Sequence, residues 1–152
     1  MRLTSYTDYG LRTLMYVGLK EGGLATIQEV ADAYGISKSH LMKVAYNLGR
    51  YGYLEMVRGR GGGMRLARPP DGIGIGDVVR RMEEDFAMAE CFQADNACVI
   101  TRACRLQGIL GEALSAYLSV LDKYTLADLM VGKAGELARL YFADTIGPRP
   151  AP

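Results

Sequence analysis

Cys91, Cys98 and Cys104 are the only cysteines of this 152-residue chain, and they fall together in the pattern C-x6-C-x5-C. Three thiols cannot all pair as disulfides, and clustered thiols without an export signal point to metal or redox chemistry. Three thiolates from one loop can bind three irons of a [4Fe–4S] cubane, or form part of a [2Fe–2S] or zinc ligand set. They can also act directly as redox thiols. Ala97-Cys98 and Ala103-Cys104 would equally suit inert packing in a core. Spacing alone leaves these readings open, and each metal reading lacks a local fourth ligand. His40, the sole histidine, lies far from the cysteines in sequence and is expected to contact DNA or the solvent rather than a metal.

The elements around this loop set its context. Leu11, Leu14, Met15 and Leu19 recur at helical spacing and predict a first helix over Ser5–Lys20, capped by Thr7 or Ser5 and stopped by Glu21-Gly22-Gly23. Asp8 falls in its first turn, where a carboxylate is favoured by the helix dipole. Two shorter helices follow, over Thr26–Tyr34 and Ser37–Arg50. Thr26 and Glu29 have capping-box spacing, and Gly35 between the helices suits a left-handed helix stop. This is helix-turn-helix grammar. In the second helix Leu41, Val44, Ala45 and Leu48 face inward and leave Lys38, Ser39, His40, Lys43 and Asn47 to project outward. Residues 53–57 and 64–67 read as two strands joined by the arginine- and glycine-rich run 58–63, a β-hairpin wing. Gly61-Gly62-Gly63 is not a nucleotide loop, because no G-K-[ST] follows it. After Pro69-Pro70 a helix is expected over Ile75–Asp85, then the cysteine loop, then a long helix from Thr101 to Lys123. Its wide apolar face is expected to pair with the same helix of a second subunit. Short helices over Thr125–Met130 and Ala134–Phe142 precede a tail, 147–152, expected to be disordered.

Charge sharpens this picture. Residues 1–68 carry ten Lys/Arg against five Asp/Glu, whereas 69–152 carry eight against twelve, so a net +1 conceals a basic half and an acidic half. Between 37 and 68 seven cations face only Glu55, as a phosphate-binding surface would require. Ser37, Lys38, Ser39, His40 and Lys43 are the expected base-reading residues. Arg58, Arg60 and Arg65 on the wing, with Gly62 in its turn and Thr26 at the helix-turn-helix entry, complete the expected contacts to double-stranded DNA. No apolar run approaches the roughly 20 residues of a membrane span, and the expected location is the cytoplasm. The fold class expected is mainly α: a winged helix-turn-helix with a two-stranded β wing and a long dimerisation helix. Its parts are a DNA-binding domain (1–85), a cluster-binding loop (86–104), dimerisation and C-terminal helices (101–146) and the tail.

MRLTSYTDYGLR (1–12), the helix-turn-helix (26–50), VRGRGGGMRLARP (57–69), IGDVVRRME (75–83), the cysteine loop ending ACRL (103–106) and YTLADL (124–129) together resemble one family. It is the winged-helix, iron–sulfur regulator family that includes NsrR, RirA and IscR. The likeness is greatest to NsrR-type nitric-oxide sensors, dimeric repressors of nitrosative-stress genes. The resemblance implies a non-enzymatic, cluster-dependent repressor that binds an inverted-repeat operator as a homodimer and takes nitric oxide as its signal. It implies that Cys91, Cys98 and Cys104 ligate an iron–sulfur cluster, [4Fe–4S] in preference to [2Fe–2S]. It further implies that Asp8, reaching across from the partner subunit, supplies the missing ligand. Gln107 stands where IscR-type members carry a histidine, which argues against that type of site. Residues 86–92 look more like RirA-type iron sensors, so an iron-responsive repressor remains an alternative, as does a cluster-free thiol or zinc regulator.

Overall fold

Helix α1 (Ser5–Leu19) begins where the Thr4 side chain accepts a hydrogen bond from the Thr7 backbone N–H. Thr4 is therefore the cap, one residue before the expected Ser5 and three before Thr7, and Thr7 instead lies fully buried behind it. The computed structural model describes residues 2–20, 23–131 and 134–142. Glu21 and Gly22 of the expected helix stop, residues 143–146 and the 147–152 tail lie outside the described residues.

Helix α2 (Ile27–Tyr34) starts with the full capping box: Thr26 Oγ1 accepts from Glu29 N, and Glu29 returns a carboxylate oxygen to Thr26 N at 2.6 Å. Gly35 ends it at φ 65°, a left-handed conformation that a side chain would strain. Ser37 caps α3 (Lys38–Arg50), whose Leu41, Val44, Ala45 and Leu48 are buried against Leu14, Val17 and Val30 in a single core. Strands β1 (Leu54–Val57) and β2 (Gly63–Leu66) pair antiparallel, with Leu54 opposite Leu66 and Val57 opposite Gly63. Met64 also exchanges two backbone hydrogen bonds with Ala25, of 2.9 and 2.7 Å, so β2 is fastened near the wing turn to the residue before the α2 cap.

Tyr53, fully buried just before β1, donates its hydroxyl to Asp77 at 2.5 Å on α4 (Ile75–Met82). Burial, and then that hydrogen bond, raise the Tyr53 phenol above its ordinary range. Burial also pushes the Asp77 carboxyl up, but Tyr53 and Arg81 outweigh it and leave its pKa lowered. The expected helix 75–85 stops early, at Met82, because Glu83 takes an extended backbone and sends its carboxylate to the start of α1.

The long helix also differs from expectation. It runs as α5 (Leu106–Leu121), and the residues from Cys98 to Cys104 form single turns ahead of it. No residue of α5 is buried; Leu106, Ile109 and Val120 are each about half exposed or more, at 52%, 59% and 49%. Its end is tied to α4 by the Arg80–Asp122 ion pair, and a Cβ on Gly76 would collide with that Asp122 carboxylate. Helices α6 (Leu126–Met130) and α7 (Ala134–Phe142) return to pack on α1. No helix among the described residues is long and apolar enough to cross a membrane.

Two substitutions separate capping from core packing. Thr26→Ala should lower unfolding free energy by about 1 kcal/mol and Leu48→Ala by about 2–5 kcal/mol, measured by urea denaturation.

Candidate functional site

The outer face of α3 follows directly from the burial of its inner one. Lys38, Ser39, His40 and Lys43 are all exposed, on the first two turns, where a helix-turn-helix reads base edges. Ser37 is exposed too, but its hydroxyl is partly committed: it accepts from His40 N and shares a proton with Ser39 Oγ at 3.3 Å. Thr26 is half-buried, and its oxygen is occupied by the capping box, so its hydroxyl proton is what it can offer a phosphate. Asn47, expected to project outward, instead turns toward α1 and donates to the Tyr6 hydroxyl. Exposed Met42 and Tyr46 share the outer face; their apolar character concealed them in a search for polar contacts.

The wing is shaped by its glycines. Gly59 and Gly61 have φ of 101° and 77°, and a Cβ on Gly62 would collide with the Val57 carbonyl oxygen. Arg58 and Arg60 are exposed at this turn and make no ion pair among the described residues. Arg65 differs. It forms two 2.9 Å hydrogen bonds to Glu55 across the hairpin, which hold the Glu55 carboxyl below its usual range. Arg68, counted by sequence among the surface cations, turns inward over the Tyr53 ring, 4.9 Å from its centroid, and donates to the carbonyls of Tyr51 and Gly52.

Cys91, Cys98 and Cys104 are unpaired and half-buried. The chain around them is a series of single turns: Glu90–Phe92 forms one, and Thr101 N and Cys104 N close others onto the carbonyls of Cys98 and Ile100. Gln107, from the first turn of α5, donates to the Cys91 carbonyl at 2.5 Å, and Thr101 Oγ1 donates to the Cys98 carbonyl at 2.9 Å. Among the described residues, no three His, Cys, Asp or Glu side chains converge to hold a metal ion. Asp8 stands on α1, paired with Arg12 at 2.8 Å and 40% exposed. Arg12 in turn lies over the Tyr34 ring.

Sequence reasoning missed Tyr6 and Glu83, which join α1 to α3 and α4. Neither belongs to a local motif, and each has its partners at least 37 residues away.

The family model for Rrf2, described as an iron-dependent transcriptional regulator, matches residues 3–132. The chain is 55% identical over 135 residues to the HTH-type transcriptional regulator NsrR of Bacillus subtilis, covering 88% of this chain and 92% of that protein. It is 47% identical over 147 residues to NsrR of Shouchella clausii, covering 95% and 99%. Among solved structures, it resembles CymR, the global cysteine regulator of B. subtilis, with a TM-score of 0.64 at 25% identity over 85% of this chain and 95% of that one. The fold also matches IscR of T. potens, with a TM-score of 0.68 at 24% identity over 86% of each chain. Fold, surface and relatives define a winged helix-turn-helix transcriptional regulator rather than an enzyme. The chain belongs to the Rrf2 family.

The wing geometry can be tested in DNA binding. Arg60→Ala should weaken binding about equally on all sequences and reduce the slope of log affinity against log salt by about one. Gly62→Ala should weaken operator binding through a displaced wing, while circular dichroism shows the helices retained.

Proposed function

We propose that this chain is a homodimeric, DNA-binding repressor that holds an iron–sulfur cluster and responds to nitric oxide. The observation that carries the reading is the position of the three unpaired thiols: one segment, between a winged helix-turn-helix and an apolar helix none of whose residues is buried among the described residues.

In donor chemistry the segment fits such a group. Thiolates are the ordinary protein ligands of iron–sulfur clusters, and three in one short segment leave one position for a further donor. The single turns around them carry few long-range hydrogen bonds, so the thiols can be gathered without dismantling a helix. Cys91, Cys98 and Cys104 would hold the cluster, [4Fe–4S] in preference to [2Fe–2S], and the partner's Asp8 would complete its ligation. The cluster would supply iron, to which nitric oxide can bind. Asp8 supports its role by exposure and by a pairing with Arg12 that a stronger interaction can replace. A carboxylate is a harder and more exchangeable ligand than a thiolate, which makes the Asp8 side the weaker one.

The dimer reading rests on α5. An exposed apolar face bearing Leu106, Ile109 and Val120 on a 16-residue helix is stable in water when a second copy covers it. Two α3 helices related by a twofold axis would then enter successive major grooves of an inverted repeat. Ser37, Lys38, Ser39, His40 and Lys43 would read bases; Thr26, Arg58, Arg60, Gly62 and Arg65 would contact or shape the approach to the backbone and minor groove. The likeness to NsrR-type sensors supports nitric oxide as the signal and nitrosative-stress genes as targets.

Protein purified without oxygen should be brown and contain iron and sulfide, and stoichiometric nitric oxide should weaken operator binding. A loss of about 100-fold corresponds to roughly 2.7 kcal/mol of coupling. Release by iron chelation but not by nitric oxide would establish an iron sensor instead, and a colourless zinc protein would establish the cluster-free alternative. Asp8→Ala should change the cluster's visible spectrum or its lability; an unchanged spectrum and response would remove Asp8 from the ligand set. For the interface, Ile109→Asp should shift sedimentation from dimer to monomer and abolish tight operator binding.

A further inference from the structure

The first two turns of α1 are hydrogen-bonded to two other helices at once. On one side, Glu83 at the end of α4 accepts from Thr4 N at 3.2 Å, from Thr4 Oγ1 at 3.1 Å and from the buried Thr7 Oγ1. On the other side, the Tyr6 hydroxyl donates to the Lys43 carbonyl of α3 at 3.1 Å and accepts from Asn47 Nδ2 at 2.5 Å. Lys43 and Asn47 are one helical turn apart, so the phenol oxygen is seated against a single turn of α3, immediately after the Ser37–His40 end. Among the described residues these are the only side-chain hydrogen bonds between α1 and α3.

The rest of the contact between the two helices is apolar, and apolar packing is not directional. It favours burial of Leu41, Val44 and Leu48 but resists a small slide or rotation of α3 only weakly. A hydroxyl that donates to one group and accepts from another does resist it, because both bonds weaken steeply when their geometry is lost. Tyr6 is only half-buried and borders an open groove with Lys43, Asn47 and Met82, so water can replace the protein partners when the contact opens.

The Glu83 contact gives the same turns of α1 a second role. Phe86, three residues beyond Glu83, begins the segment that leads to Cys91, and Phe86 and Met88 line a cleft with Arg2, Leu3 and Tyr117. A rearrangement of the cysteine segment therefore acts on the start of α1, where Thr4, Tyr6 and Thr7 are consecutive or nearly so. We propose that the Tyr6 hydroxyl is a positioning group that sets the pose of α3 for operator reading and passes the state of the cysteine segment to it. The second half rests on the cluster and DNA-binding readings given above.

The test compares wild-type protein with Tyr6→Phe and Asn47→Ala in the full chain. Affinity is measured for an operator duplex and an unrelated duplex of equal length, with cluster-loaded protein and after iron chelation. Visible absorbance and melting temperature are recorded alongside. Tyr6→Phe should load the cluster like wild type and melt only a few degrees lower, yet its preference for operator over unrelated DNA should fall about tenfold, the scale of two lost hydrogen bonds. The difference between loaded and chelated forms should shrink toward none. Asn47→Ala, which leaves the bond to Lys43, should fall between. Wild-type specificity and wild-type iron dependence in Tyr6→Phe would overturn the proposal, as would an equal loss on both duplexes with a lowered melting temperature. A wild-type protein whose operator affinity ignores iron would overturn the cluster reading and the relay with it. Specificity lost by Tyr6→Phe even then would support the positioning role alone.

Discussion

The burial of one complete face of α3 is the constraint on which the rest of the molecule depends. Leu41, Val44 and Leu48 are at most 1% exposed, and they sit against α1, α2 and the residues leading into the wing. Because a helix turns its side chains through a full circle every 3.6 residues, fixing that face fixes the opposite one. Lys38, Ser39, His40 and Lys43 are presented together for this reason. The hydrophobic term holds α3 down; the Tyr6 hydrogen bonds determine how it is turned.

The wing depends on the same core through a chain of polar contacts. Tyr53 brings its buried ring to the base of the hairpin and its hydroxyl to Asp77, and Arg68 lies over that ring. Ala25 pairs with Met64, so the entry to α2 is joined to the turn end of β2. The cations of the basic half consequently divide by role. Arg68 is spent on structure and Arg65 is matched by Glu55, whereas Arg58 and Arg60 keep their charge exposed at the turn. A count of charges along the chain cannot make that division, since it depends on which carbonyl or carboxylate each guanidinium meets.

The second half of the chain presents the opposite situation. α5 has no buried residue, and the cysteine segment before it is made of isolated turns held by bonds such as that from Gln107 to Cys91. The core gathers the helix-turn-helix and the base of the wing together with α4, α6 and α7, whereas α5 meets it along α4. The thiols lie in a segment tied to the first turn of α5, and its leading residues, Phe86 and Met88, border Arg2 and Leu3 just ahead of α1.

The amino-acid sequence by itself determined the type and order of the main elements, because their signals are local: the Thr26–Glu29 box, Gly35 after a helix, Leu41 to Leu48 at helical spacing, and glycines between two short strands. It also singled out the three thiols and the exposed residues of α3. Only the tertiary structure decided where α4 and α5 begin or end, since Glu83 leaves its helix to reach Thr4 and Thr7 nearly 80 residues earlier in the chain. Only it turned Asn47 and Arg68 inward and brought Tyr6 against Lys43. A local motif records what a stretch of backbone prefers, whereas these side chains are placed by donors and acceptors that meet them only after the chain has folded.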